Sequence, residues 1–318
     1  MKKVAVLTSG GDAPGMNAAI RALTRTCLNL GMDVYGVENG YLGLYNNNIF
    51  QLKSRDVSDI INRGGTFLKT ARFADFMKDE VCQHAALNLL NQDIEYLVVI
   101  GGEGSYKGAQ RISKFGIKVI CIPATIDNDV QSTKLAVGHD SATNTVVEAI
   151  DRIKDNSSSH SRCSIIEVMG RNCGEIALRS GIASGVEEVF IDKDSVDLDK
   201  ICSIVEARKI SNHNNTLFVM VENICDIIEL AQQIEERTNV ETRSTILGYI
   251  QRGGSPSALD RYLASEFGSY AGRLIAAGKY NLAIGSNGID FYDTALDEAL
   301  ILEIHDVTEM LKLSDYLK

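Results

Sequence analysis

The side chains best suited to chemistry lie in one short loop, residues 125–129, with the sequence Thr-Ile-Asp-Asn-Asp. If this segment stays extended, alternate side chains share a face, so Thr125, Asp127 and Asp129 are expected to point the same way. One carboxylate could then accept a proton from an attacking hydroxyl group while the other holds a divalent metal. A polar turn whose Asp and Asn side chains bond only to their own backbone explains the same residues.

The elements around this loop indicate where it lies in the fold. Residues 117–122 form a short apolar run rich in β-branched side chains, which predicts a buried strand. Pro123 follows, and we expect the chain to leave the sheet there because proline cannot extend a central ladder. In open α/β sheets, ligands bind at the carboxyl ends of the strands. The position of the loop therefore favours a functional role.

Two other predicted strands, residues 3–8 and 96–100, are each followed by a glycine-rich turn and the start of a helix. The first turn contains Gly10 and Gly11, and the second reads Gly-Gly-Glu-Gly-Ser over residues 101–105. Backbone amides in such turns can bind phosphate with help from the helix dipole, and an acid in the turn can reach the metal of a polyphosphate. Neither turn is a Walker loop or a GxGxxG motif, and glycine pairs also occur in such turns for packing reasons.

Arginines supply the positive charge that a phosphorylated sugar would need. Arg171 follows the predicted strand 164–168, and Arg243 and Arg252 flank a later strand. With Arg162, these residues are candidate ligands for a sugar phosphate.

Other basic residues have two interpretations each. Arg72 beside Phe73 suits the lip of a nucleotide site, with charge for phosphates and a ring for a base, or an ordinary surface pair. Arg21 and Arg25 lie one helical turn apart and suit either an anion site or a solvated face.

Composition narrows the class of protein. The chain has 318 residues, 45% of them apolar, and a formal net charge of −10, which argues against a nucleic-acid or membrane surface. Its seven cysteines show no zinc or redox spacing and are expected to be reduced thiols. The first apolar run is too short for a signal peptide and no later run reaches the length of a membrane span, so we expect a cytoplasmic protein. Alternating strands and helices predict an α/β fold with parallel sheets, in two lobes with a cleft between them.

Four motifs carry a resemblance to a known family: residues 7–17, 125–129, 167–171 and 247–256. Through them the chain resembles the bacterial ATP-dependent 6-phosphofructokinases nearly from end to end. The resemblance implies two Rossmann-like lobes with mainly parallel sheets and an active site in the cleft between the lobes. It also implies Mg²⁺-ATP-dependent phosphorylation of the 1-hydroxyl of D-fructose 6-phosphate to fructose 1,6-bisphosphate, a step of glycolysis.

The resemblance assigns the lobes and the subunits. Residues 1–138 with 251–301 would bind ATP, and residues 139–250 with 302–318 would bind the sugar phosphate. The enzyme would be a homotetramer, with Arg162 and Arg243 reaching into the site of a neighbouring subunit.

Individual roles also follow from the resemblance. Asp127 is the expected base, assisted by Thr125, Arg171 and Gly11, with Asp129 and Glu103 near the Mg²⁺. The expected ATP-binding residues are Gly11, Arg72, Phe73, Gly102, Glu103, Gly104 and Ser105. The expected sugar-phosphate residues are Thr125, Ile126, Asp127, Arg162, Met169, Gly170, Arg171, Glu222, Arg243, Tyr249 and Arg252.

The sequence departs from the family pattern at four positions. Glu103 replaces an aspartate, Ala124 a glycine, Tyr249 a histidine, and Met77 an arginine of the ATP lip. In pyrophosphate-dependent relatives, an aspartate stands at the position of Gly104 and a lysine at that of Ala124, so this chain is expected to use ATP.

The effector site of the family binds ADP or phosphoenolpyruvate between subunits. The residues that match it, fully or nearly, are Arg21, Arg25, Lys154 and Glu187, and the resemblance also places Gly185 and His213 in the site. Ser54, Ser211 and His213 stand where basic residues are usual. We therefore predict weak regulation, since an anion site with less positive charge binds its ligand less tightly.

Two alternatives stay open on sequence alone. Changes at Glu103, Ala124 and Tyr249 together motivate a non-catalytic or weakly active paralogue with a regulatory role. The acceptor could also be tagatose 6-phosphate or sedoheptulose 7-phosphate, because few contacts distinguish such sugars.

Overall fold

The structure is a computed structural model, and it describes residues 1–158, 162–171, 173–211, 215–302 and 306–317. Two compact units make up the chain. The first contains Met1–Ser141 and Arg252–His305, and the second contains Ala142–Gln251 and Asp306–Lys318. Both units are α/β, as the sequence predicted.

The strands are β1 (Lys3–Thr8), β2 (Asp33–Val37), β3 (Ile49–Leu52), β4 (Tyr96–Gly101), β5 (Lys118–Pro123), β6 (Arg162–Val168), β7 (Glu188–Phe190), β8 (Asn215–Val221), β9 (Thr242–Ile246), β10 (Leu282–Ser286) and β11 (Phe291–Ala295). The α-helices are α1 (Met16–Asn29), α2 (Gly40–Tyr45), α3 (Asp79–Leu90), α4 (Glu103–Ser113), α5 (His139–Ser158), α6 (Glu175–Ser184), α7 (Leu198–Ile210), α8 (Ile227–Thr238), α9 (Ala258–Ala276), α10 (Leu296–Ala299) and α11 (Thr308–Tyr316). Short 3₁₀ helices cover Ala74–Met77, Lys193–Ser195 and Gly248–Arg252.

The first unit is built on a seven-stranded sheet in the order β11-β10-β5-β4-β1-β2-β3. Its inner strands are parallel, and only the edge strands β3 and β11 run antiparallel to their neighbours. All six residues of β4 are buried, as expected for a strand covered on both faces. The order places β5, β4 and β1 side by side, so the loops after these three strands emerge at one edge of the sheet.

The second unit has a four-stranded sheet in the order β7-β8-β6-β9, and all its pairs are parallel. Phe190 and Phe218 pack within its core with ring centroids 5.9 Å apart. Strand β9 forms one edge, where Ile246 is 56% exposed.

The end of β5 differs from the sequence-based expectation. Pro123 is still part of β5, paired with Gly101, because the next residue provides the hydrogen bond to β4: the N–H of Ala124 donates to the carbonyl oxygen of Gly101 at 3.1 Å. Residues 40–45 form the short helix α2, which is anchored by Tyr41 stacked on Phe76 at 4.1 Å.

The seven cysteines are free thiols, and six of them are buried. Burial raises the pKa of the Cys27 and Cys163 thiols to about 12, so both are protonated at neutral pH. Among the described helices, none combines the length and the apolar character needed to cross a membrane.

Candidate active site

The loop after β5 is a turn, so the expected alternation of its side chains is wrong. The N–H of Asp127 donates to Thr125 Oγ1 at 3.2 Å, and Asn128 has the left-handed value φ 55°. This geometry bends the chain back instead of extending it. Asp127 is only 3% exposed, whereas Asp129 is partly exposed. The two carboxylates therefore have different surroundings, which suits different roles.

Asn128 shapes this turn, a role that the sequence analysis missed. Its Oδ1 accepts from the N–H of Ala136 at 2.8 Å, and its Nδ2 donates to the carbonyl oxygen of Lys134 at 3.0 Å. Asn128 is completely buried. These bonds join the turn to the segment before α5, so Asn128 does not bond only to its own backbone, as the alternative of a polar turn supposed. An Asn in a loop is a signal for such a turn, because its short amide tolerates left-handed backbone and bonds locally.

The two glycine turns lie beside each other at the same sheet edge. The N–H of Ser9 donates to the carbonyl oxygen of Ile100 at 3.0 Å, which joins the ends of β1 and β4. A Cβ at Gly102 would lie 3.7 Å from Thr125 Cβ, in ordinary van der Waals contact. The structure thus brings the second glycine turn next to Thr125, and the first turn next to the second.

Within the second turn, Glu103 is the first residue of α4 and forms a salt bridge with Lys107 at 2.6 Å. Its side chain is 43% exposed. Gly104 has open space around it, while Ser105 is buried. In the part of the chain that the structure describes, no three His, Cys, Asp or Glu side chains form a group able to hold a metal.

Gly11, expected to bind ATP, and Arg252, expected to bind the sugar phosphate, lie in contact in the first unit. The guanidinium group of Arg252 lies against Gly11, where a Cβ would be 2.8 Å from Arg252 Cζ. Only glycine leaves room for that group. Arg252 is thereby brought to the first glycine turn.

Arg72 and Phe73 separate in the structure. Phe73 packs into an aromatic group, with its ring 5.6 Å from Tyr45 and 6.4 Å from Phe76. Arg72 is exposed. The arginine is thus accessible to a phosphate, while the ring of Phe73 is occupied in part by its neighbours.

In the second unit, Met169, Gly170 and Arg171 follow the carboxyl end of β6. The N–H of Met169 donates to Gln251 Oε1 at 3.1 Å, and Gln251 Nε2 donates to the carbonyl oxygen of Gly248 at 3.0 Å. Gln251 is completely buried, and nothing in the sequence singled it out. Arg171 is exposed with φ 48°, a strained backbone value for a non-glycine residue that is enriched at functional sites.

Glu222 lies at the same edge, because its N–H donates to the carbonyl oxygen of Val168 at 2.8 Å. Burial, reinforced by Glu222 and Asp226, raises the pKa of the Glu167 carboxyl. Tyr249 follows in the 3₁₀ helix after β9 and is 82% exposed, so its ring is accessible to a ligand.

Arg162 and Arg243 lie where strands β6 and β9 begin, at the opposite end of the sheet from Met169 and Arg171. Arg162 begins β6, whose seven residues span roughly 20 Å at about 3.3 Å per residue. Both arginines bind one carboxylate: Arg162 Nε lies 2.6 Å from Glu241 Oε2, and Arg243 Nε lies 3.0 Å from Glu241 Oε1. The hydrogen bonds from Arg162 and then Arg243 lower the pKa of the Glu241 carboxyl. Arg162 therefore lies at the opposite end of β6 from Arg171.

The residues matched to the effector site are partly engaged elsewhere. Glu187 forms a salt bridge with Arg208 at 2.9 Å, and Lys154 Nζ donates to the carbonyl oxygen of Ser184 at 3.2 Å. Gly185 ends α6 with φ 61°. His213 lies outside the described residues.

In the first unit, burial and then Arg25 lower the pKa of Arg21, which Asp59 opposes. A cavity of about 770 Å³ is lined by Arg25, Ser54, Ser269 and Arg273, among others.

The chain is similar to proteins of known function. A family model described as Phosphofructokinase matches residues 3–275. The chain is 50% identical to the ATP-dependent 6-phosphofructokinase of Clostridium acetobutylicum, with 98% of this chain and 99% of the relative covered. It is 48% identical to ATP-dependent 6-phosphofructokinase 1 of Clostridium perfringens, with 95% of each chain covered.

Solved structures agree with this similarity. The phosphofructokinase structure from Saccharomyces cerevisiae matches with a TM-score of 0.86 and 32% identity, covering 94% of this chain and 45% of the yeast chain. A pyrophosphate-dependent phosphofructokinase from Marinobacter aquaeolei matches with a TM-score of 0.85 over all of this chain and 91% of the other, at 20% identity, which is a likeness of fold.

Proposed function

We propose that this chain, which belongs to the phosphofructokinase family, transfers a phosphoryl group from ATP to the 1-hydroxyl of fructose 6-phosphate and forms fructose 1,6-bisphosphate. The observation that carries the proposal is the buried Asp127 at the end of β5, beside two glycine turns at the ends of β4 and β1. Both Clostridium relatives bear the name of this activity.

In this proposal, Asp127 accepts the proton of the sugar hydroxyl as the oxygen attacks the terminal phosphorus of ATP. Thr125, beside Gly102, and Arg171 stabilise the transferred group, whose charge is spread over its outer oxygens. The glycine turns offer backbone N–H groups to the ATP phosphates. Positioning and charge neutralisation then account for most of the catalysis.

Magnesium would be held by Glu103 and Asp129 together with the ATP phosphates, and it would neutralise charge on those phosphates. Glu103 would have to exchange its Lys107 partner for the metal. That exchange is inexpensive, because an exposed ion pair contributes little stability.

Arginines would recognise the phosphate of the sugar. Arg252 would bind within its own subunit with Met169, Gly170 and Glu222, and Tyr249 would replace a histidine. Arg162 and Arg243 would bind the substrate of a neighbouring subunit in a homotetramer. Their location at the opposite edge of the sheet from Met169 supports this, because they cannot share one sugar phosphate with it in the same subunit.

ATP is the proposed donor because Gly104 and Ala124 stand where pyrophosphate-dependent relatives carry an aspartate and a lysine. No observation favours a non-catalytic role. The predicted effector response to ADP and phosphoenolpyruvate, and a cytoplasmic location, stay predictions.

A coupled assay of the purified chain tests the function. We expect turnover with Mg²⁺-ATP and fructose 6-phosphate, and a kcat/KM at least tenfold lower with pyrophosphate as donor or with tagatose 6-phosphate or sedoheptulose 7-phosphate as acceptor. No turnover while fructose 6-phosphate still binds would contradict the enzyme assignment. A higher kcat/KM with another acceptor would replace the proposed substrate.

A further inference from the structure

The turn that carries Asp127 is held at its centre by the ring of His139, the first residue of α5. His139 Nδ1 lies 2.8 Å from the carbonyl oxygen of Ile126, the residue before Asp127. A carbonyl oxygen can only accept a hydrogen bond, so Nδ1 carries the hydrogen in this contact. Ile126 and His139 are each 2% exposed, so water does not compete for this bond.

The start of α5 is held in turn by Asp260, in the first turn of α9. Asp260 Oδ1 accepts from the N–H of Gly138 at 2.8 Å. Its Oδ2 accepts from the N–H of Ser141 at 2.8 Å and from the Ser141 hydroxyl at 2.5 Å. A carboxylate at this place satisfies N–H groups that have no partner within a helix. Because Asp260 is 1% exposed, these bonds fix the start of α5 to α9.

The first glycine turn packs against the same structure. Gly138 has φ 102°, and a Cβ there would lie 2.6 Å from Ala13 Cβ. Gly15 has φ 105°, and a Cβ there would lie 2.6 Å from Val137 Cγ1. At each contact the backbone of a glycine in one segment therefore meets a side chain of the other segment, and a larger residue than glycine would not fit. A shift of the turn before α5 would be felt both at Asp127 and in the first glycine turn.

We propose that His139 and Asp260 are positioning residues for phosphoryl transfer. Asp260 fixes the start of α5, and His139 then fixes the carbonyl group next to Asp127, so the base keeps its place relative to the glycine turns. Both residues are buried, and neither is among the residues that the family resemblance assigns. The proposal rests on the proposed function. The size of the expected loss of kcat follows from the rule that a misplacement of about 1 Å can cost about a hundredfold in rate.

Two amide substitutions separate position from chemistry. In His139→Asn the amide nitrogen takes the place of Nδ1, whereas in His139→Gln it reaches the place of Nε2. We expect kcat of His139→Asn to stay within about threefold of the parent and kcat of His139→Gln to fall about tenfold or more, with both KM values little changed. Equal kcat in the two variants would overturn the role of the Nδ1 bond.

Asp260→Asn tests the second residue, since an amide cannot accept at both oxygen positions. We expect a similar loss of kcat, with KM little changed. The matched control is Asp197→Ala, which removes a carboxylate that caps α7 through the N–H groups of Asp199 and Lys200. It should lower the melting temperature without lowering kcat. Equal effects of both substitutions on kcat at equal loss of melting temperature would overturn the positioning role.

Hydrogen exchange provides a measurement that does not depend on turnover. In His139→Gln and Asp260→Asn, amides of residues 124–138 should exchange at least about tenfold faster than in the parent, while those of α8 stay unchanged. Unchanged exchange at residues 124–138 would overturn the proposal. If exchange rises as expected but the parent protein has no turnover, the proposed function fails and the catalytic part of this proposal fails with it, while the structural part stands.

Discussion

The guanidinium group of Arg252 and the α-carbon of Gly11 occupy adjoining space, and no side chain fits between them. The contact joins a residue expected to bind ATP with a residue expected to bind the sugar phosphate. It gives a physical reason for glycine at position 11, where the backbone conformation alone does not require one.

We predict that Gly11→Ala displaces Arg252 and lowers kcat/KM for fructose 6-phosphate by roughly tenfold or more. The test is a double-mutant cycle with Arg252→Ala: the cost of Gly11→Ala should largely disappear once the guanidinium is absent. Gly31→Ala is the control for glycine replacement in open space; because its φ is 73°, unlike that of Gly11, it should lower stability without lowering kcat/KM. Additive effects of Gly11→Ala and Arg252→Ala would refute the contact as the cause.

Glu241 orients Arg162 and Arg243, so its removal should act on substrate binding. We predict that Glu241→Gln raises the KM for fructose 6-phosphate several-fold and leaves kcat within about twofold, because a neutral amide holds the two guanidinium groups less firmly. Steady-state kinetics check this against Glu236→Gln, an exposed carboxylate on α8. An unchanged KM would show that Glu241 does not serve the substrate.

The pKa of Glu241 adds a dependence on pH. The folded protein lowers this pKa from 4.5. The bonds of ionised Glu241 to Arg162 and Arg243 therefore stabilise the folded state above the ordinary pKa, and this stabilisation is lost as pH falls through the lower pKa of the folded state. The difference in KM between parent and Glu241→Gln should therefore be constant from pH 6 to 9.

Asp260 should affect stability in the opposite sense. Burial raises its pKa from 3.8 to about 6, so between these values the folded state binds more protons than the unfolded state and the free energy of unfolding decreases as pH rises. The shift corresponds to a change on the order of 3 kcal/mol between pH 3.5 and pH 7, which Asp260→Asn should abolish. Chemical denaturation across this range measures it. Parallel pH profiles for the two proteins would contradict the assignment.

Regulation is predicted to be weak. Ser54 supplies no charge to the effector site, and Glu187 is already paired with Arg208. Titration of ADP and phosphoenolpyruvate against initial rates should shift half-saturation by less than about twofold, and Ser54→Arg should enlarge the shift. Ser203→Arg, on an exposed position of α7, controls for the added charge. A strong shift in the parent protein would refute the prediction.

The sequence predicted most of what depends on local pattern. β-branched apolar runs marked β1, β4, β5 and β6, and the glycine and acidic turns after them were recognised as candidate sites. The order of the strands was not readable, because it depends on long-range pairing. That order, with β5 next to β4 and β4 next to β1, is what brings the turns together.

The residues that the sequence did not reveal act through contacts with distant segments. Glu241 binds Arg162 because β9 pairs with β6, and Gln251 holds Met169 across the same unit. Asn128 bends the turn that was expected to be extended. No spacing rule links Glu241 to Arg162 or Gln251 to Met169, so only the folded structure could identify these two pairs. Asn128 is different, because its residue type in a loop is a signal that the sequence did offer.

The proposed phosphoryl transfer depends most on Asp127 as the base. We predict that Asp127→Asn lowers kcat by roughly 10²- to 10⁴-fold while the Kd values for Mg²⁺-ATP and fructose 6-phosphate, measured by calorimetry, change less than about threefold. Asp93→Asn, at a residue that is 89% exposed, should behave like the parent. A kcat for Asp127→Asn within a few-fold of the parent value, with both ligands bound as before, would contradict the central claim.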